Sequence, residues 1–145
     1  MKRFVFRFAA VLMQRTTLLD VAKAELADAL ARRNLAVEIL TRRRHDLDTL
    51  AKSGPRPGQP FDPRHETIRQ NHLAALRAEI ERRVQLVSRL EQTAEAQRRK
   101  VAAALRALKA IEILEERDRD AWKAEVRRLE QQETDERNAQ RFGRR

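Results

Sequence analysis

The chain has 145 residues, of which 37% are charged and only 4% aromatic, and its formal charge is +10 at neutral pH. That length suits one domain, spanning 1–145, and so few aromatic residues beside so many charges exclude a thick globular interior. With no cysteine there is no disulfide framework, no thiolate nucleophile and no zinc knuckle, while the arginine excess draws the chain toward acidic surfaces without choosing among them.

The opening from Met1 to Met13 has a basic start and an apolar run, as a signal peptide does. Arg7 interrupts that run, and Gln14 and Arg15 end it, well short of the roughly 20 apolar residues of a membrane span. A first helix is expected over about residues 8–52. Its leucines recur at heptad spacing through Leu12, Leu19, Leu26, Leu40 and Leu47, with Arg33 in the gap. Three residues on come Arg15, Ala22, Ala29, Ala36, Arg43 and Leu50, which makes one packing seam of leucine and small residues. No good N-cap marks its start.

Residues 53–63 hold all four prolines and two of the three glycines, and so read as the bend of a helical hairpin. Gly54 suits the position just past a helix end, and Asp62-Pro63 supplies an N-cap followed by a first-turn proline. A second helix is expected over about residues 64–138. Its seam runs through Leu73, Ile80, Val87, Ala94, Val101 and Leu108, with Leu76, Arg83, Leu90, Gln97, Ala104 and Ile111 three residues on. A strict seven-residue repeat implies a left-handed supercoil. Arg33, Arg83 and Gln97 flaw the seams, and their long side chains are expected to carry their polar ends to water. Glu precedes Arg by four residues at Glu38/Arg42, Glu79/Arg83, Glu95/Arg99, Glu115/Arg119 and Glu133/Arg137, each pair adding about 0.2–0.5 kcal/mol to helix stability.

The fold class that follows is all-α, a long two-helix antiparallel coiled-coil hairpin with a longer, projecting C-terminal helix. Folding back about the bend in simple register would place Leu12 near residue 104 and Met1 near residue 115, leaving the chain from Glu116 onward without an intramolecular partner. Trp122, Val126 and Leu129 then form an apolar stripe free to bind something else.

The start Phe4-Val5-Phe6-Arg7-Phe8-Ala9-Ala10-Val11-Leu12, continued by Ala22, Leu26 and Ala27, is similar to the opening of the FliJ family, a small coiled-coil component of bacterial flagellar export. The end resembles it more specifically, from Leu108 through Ile113-Leu114-Glu115-Glu116-Arg117 to Trp122 and then Arg128-Leu129-Glu130-Gln131-Gln132-Glu133-Thr134-Asp135-Glu136. Departures are Trp122, where tyrosine is commoner, and Thr134 and Arg137 at positions usually apolar. The resemblance implies a non-enzymatic adaptor or stalk subunit, similar to the central stalk of rotary ATPases. Such a subunit would bind the export ATPase hexamer, an export-gate membrane protein and export chaperones. It implies a cytoplasmic protein, peripheral at the inner face of the cell membrane through its partners, with a role in motility. The partner-facing candidates carried over are Trp122, Glu130, Gln131, Asp135 and Glu136, beside Val126 and Leu129 of the stripe.

Two other classes share this shape. The equivalent coiled coil of a virulence secretion system looks alike at this resolution. A basic nucleic-acid-binding coiled coil would use Arg42-Arg43-Arg44-His45, Arg98-Arg99-Lys100 and the tail Arg141 to Arg145, but acidic residues are interspersed and no aromatics alternate to stack bases. A structural dimer is a third possibility. Catalysis has no foothold: His65 and His72 lie about 10 Å apart on a helix, His45 stands alone among arginines, and no glycine-rich phosphate loop exists. No cofactor or metal is expected.

Overall fold

The computed structural model describes residues 3–144, all-helical in its regular structure, with no strand among them. Helix α1 spans Ala9–Lys52 and helix α2 spans Pro63–Gly143, so α2 runs on past residue 138. Met1, Lys2 and Arg145 lie outside the described residues, as does the expected placement of Met1 near residue 115. Contacts divide the chain into two compact units. One is Ala22–Val101; the other combines the residues up to Val21 with those from Ala102 onward.

In the unit Ala22–Val101 the buried side chains fall on the heptad seams. Ala22, Ala29, Ala36 and Leu40 are buried on α1, and Leu73, Leu76 and Ala94 on α2. Alanine at alternate seam positions lets two backbones approach closely, and each covered leucine contributes about 2 kcal/mol. Contacts between the helices run in opposite directions along them. Arg69 Nη1 donates to the Leu50 carbonyl at 3.2 Å, and Arg43 Nε lies 3.2 Å from Glu79 Oε1. Glu79 also accepts from Arg83 Nε at 2.8 Å. Its carboxyl is held below the ordinary range first by that bond, then by the charges of Arg43, Arg83 and Arg82.

The three seam flaws part ways. Arg83 turns aside to Glu79, and Arg33 reaches out to Asn34 Oδ1 at 2.9 Å. Gln97 corrects the expectation that it carries its polar end to water, because its carboxamide oxygen is buried without a hydrogen-bond partner. A glutamine is shorter than an arginine and stops inside the seam.

The bend owes its form to local bonds. Ser53 N and Oγ both donate to the Leu50 carbonyl, at 3.3 and 2.7 Å. Asp62 Oδ1 accepts from Arg64 N at 2.9 Å, capping α2 ahead of its proline. Gly58 adopts φ +84°, a left-handed conformation that suits glycine. Arg69 then closes the bend, donating to the carbonyls of Leu50 and Ala51, which are among those α1 leaves unsatisfied at its end. Its Nη2 also bonds Glu66 Oε1 at 2.7 Å. A Cβ on Gly54 would sit 3.2 Å from that guanidinium, so this glycine makes room for the clasp.

In the other unit Leu19 of α1 and Leu108 of α2 are buried, with Leu12, Ala104, Ile111 and Leu114 half-buried. Arg15, expected on the seam, is exposed. Its charge keeps it in water while leucine takes the next turn. The missing N-cap of α1 is replaced by a hydrophobic anchor. Phe6 is buried at 7% exposure and packs edge-on to Phe8, with ring centroids 5.9 Å apart, and Ala9 N donates to the Phe6 carbonyl. The chain thus enters the helix already pinned.

Candidate functional site

The expectation that nothing in the chain covers α2 beyond Glu116 is corrected at Trp122. The residues before α1 are not helical, and such chain advances about 3.3 Å per residue against 1.5 Å in a helix. They therefore reach farther along α2 than a helical register allows. Arg7 Nε lies 3.4 Å from Asp118 Oδ2, and the Phe4 ring meets Trp122 with centroids 5.9 Å apart and planes tilted by 54°.

The Arg119 guanidinium stands 5.5 Å from the other ring of this pair, that of Phe4, while its Nη2 bonds Glu115 Oε1 at 2.8 Å. Arg3, Phe4, Val5, Ala121 and Trp122 line an open hollow of about 550 Å³ whose rim includes the Arg7–Asp118 pair. Val5, at 80% exposure, has its side chain in solvent there.

Along α2 the stripe opens progressively. Trp122 and Val126 are half-buried, and Leu129 is exposed at 46%. Every residue from 127 to 144 is exposed. Between these apolar positions Arg128 makes a forked bond to Glu125, at 2.6 and 2.9 Å, which lowers the Glu125 carboxyl pKa. The four polar candidates are arranged as a ladder on this bare segment. Gln131 Nε2 donates to Asp135 Oδ1 at 2.9 Å. Thr134 Oγ1 donates to the Glu130 carbonyl at 2.8 Å, while the Glu130 and Glu136 carboxylates face solvent.

The structure thus separates the seven candidates into two groups. Trp122 belongs to the contact zone with the N-terminal segment, Val126 is half-buried one turn on, and Leu129, Glu130, Gln131, Asp135 and Glu136 stand on uncovered helix. Phe4 and Val5 complete the apolar surface around Trp122, although the sequence pointed to them only as part of the opening phrase. Their hydrophobicity ahead of a helix start was the available signal.

Among the described residues no group of His, Asp and Glu could hold a metal ion, and no helix is long and apolar enough to cross a membrane. His65 lies at the bend, lining a hollow of about 210 Å³ with Arg56 and Phe61.

Comparison with curated proteins and with solved structures gives no match. The family model described as Flagellar FliJ protein matches residues 4–145, and so takes in both the aromatic opening and the ladder of α2. On that match the chain belongs to the FliJ family of flagellar export coiled-coil components.

Proposed function

We propose that this protein is a non-enzymatic adaptor of the flagellar export apparatus, a two-helix antiparallel hairpin whose second helix outruns the first and docks on the export ATPase hexamer. The observation that carries it is the uncovered end of α2, where every residue from 127 to 144 is exposed. A helix that long gains little stability from its own hydrogen bonds, and helices in proteins are ordinarily held by packing of an apolar face. Leu129 supplies an apolar anchor, and Glu130, Gln131, Asp135 and Glu136 supply polar contacts around it. Export chaperones and an export-gate membrane protein are the further partners of such an adaptor, which would work in the cytoplasm at the inner face of the membrane. Any influence on ATP hydrolysis would pass through contact with the ATPase, in keeping with a sequence that holds no glycine-rich phosphate-binding loop.

Truncation after Val126 tests the proposal while sparing the Phe4–Trp122 contact. The shortened protein is expected to remain helical by circular dichroism and to lose binding to the purified ATPase ring. Undiminished binding in a pull-down overturns the assignment of the docking surface. A nucleic-acid role predicts instead an affinity for duplex DNA that falls steeply with salt.

A further inference from the structure

The chain ahead of α1 is held firmly at one point and loosely beyond it. Phe6 is buried and fixes the entry to the helix. Farther out, Arg3, Phe4 and Val5 make no backbone hydrogen bond to α2 among the described residues, so only side chains bring them to that helix. These contacts are of weak kinds. The Phe4 and Trp122 rings meet at 5.9 Å, and the Arg119 guanidinium near Phe4 is already bonded to Glu115, so it loses little when the ring leaves. Val5 gives no hold, with its side chain 80% exposed. Beside the ring pair lies the open hollow lined by Val5, Ala121 and Trp122, where solvent stands in place of packed side chains and the dispersion contacts of a closed core are missing.

We propose that this lead-in is a releasable strap, hinged at Phe6, whose Phe4 ring competes with the docking partner for Trp122. The inference rests on the reading that α2 docks the ATPase along its apolar stripe. Trp122, Val126 and Leu129 follow one another at spacings of four and three, which puts them on one side of the helix. Closed, the strap covers the largest of the three and leaves a short stripe. Open, it joins Trp122 to Val126 and Leu129, and tryptophan is the residue type that most often anchors a protein interface. A partner that needs Trp122 binds the open form alone, and its apparent affinity falls by the fraction of molecules that are open. Contacts this weak leave that fraction at about one molecule in ten or fewer. The strap thus keeps an apolar anchor out of water, and away from wrong partners, until the right one displaces it.

The test uses the full chain and the purified ATPase ring. Phe4→Ala is expected to bind the ring about fivefold more tightly than the natural chain, and Phe4→Tyr, which keeps a ring over Trp122, to return the affinity to its natural value. The chain has no cysteine of its own, so Val5→Cys with Ala121→Cys places two unique thiols around the hollow. A short cleavable dithiol-specific cross-linker across them is expected to weaken binding about tenfold or more, and dithiothreitol to restore it. Weaker binding by Phe4→Ala overturns the proposal, because Phe4 would then be part of the docking surface. Undiminished binding by the cross-linked chain overturns it as well, as does failure of the cross-link to form. If the natural chain does not bind the ring, the docking reading fails by itself. The strap is then judged by the distance between nitroxides on the same two cysteines, which Phe4→Ala is expected to widen; an unchanged distance overturns the strap too.

Discussion

The two units hold their helices together by different means. In Ala22–Val101 the pairing rests on a long seam of alanine and leucine, with Arg43 and Glu79 bridging its edge and Arg69 closing the bend. In the other unit the seam is shorter, and the closure comes from chain that is not helical at all: Phe6 pins the entry to α1 and Phe4 lies against Trp122. A seven-residue repeat records the first kind of pairing and is blind to the second, because an extended segment obeys no helical period.

The sharpest break in that contrast comes from the seam itself. Leu73→Ala or Leu76→Ala, each removing a side chain no more than 5% exposed, is expected to destabilise the protein by about 2–3 kcal/mol, read from urea unfolding followed at 222 nm. Gln97→Leu acts in the opposite sense. It removes an oxygen buried without a partner and is expected to stabilise by about 1–2 kcal/mol in the same assay. A loss instead would mean that Gln97 is satisfied in solution.

In the other unit a double-mutant cycle between Phe4→Ala and Trp122→Ala is expected to give a coupling of about 1 kcal/mol. A coupling indistinguishable from zero would remove the aromatic closure. The smallest effect is at the bend, where hydrogen bonds from Arg69 and then Gln70 lower the Glu66 carboxyl to about 2. A depressed carboxyl pKa stabilises the fold fully above the unfolded value of 4.5 and ceases to do so as pH falls through the folded value. The thermal midpoint of the natural chain should therefore exceed that of Glu66→Gln near neutrality, and the gap should close toward pH 2.

Much of the fold was legible because helix packing writes itself into spacing. The seam leucines and alanines and the aspartate cap at Asp62 follow from local chemistry, and the structure uses them; Gly54 serves differently from a helix-end glycine, without the left-handed conformation that Gly58 adopts, by leaving room for Arg69 of α2. What escaped was register near the ends. Arg7 meets Asp118, farther along α2 than the simple register of Leu12 with residue 104 implies, because the lead-in to α1 is not helical and advances more per residue than a helix does. Of the candidate site, the stripe Trp122/Val126/Leu129 was visible as a periodicity, but its partial cover by Phe4 was not. Long-range contacts of a segment without a repeat leave no trace in the spacing.

The position of Trp122 gives the molecule a built-in optical gauge. It is the sole tryptophan of the chain, it touches the N-terminal segment, and it begins the stripe that leads onto bare helix. Its emission therefore senses the wetness of one location, where the lead-in is seated or lifted. The colour and quenching of that light can follow any event there in real time, with no dye attached.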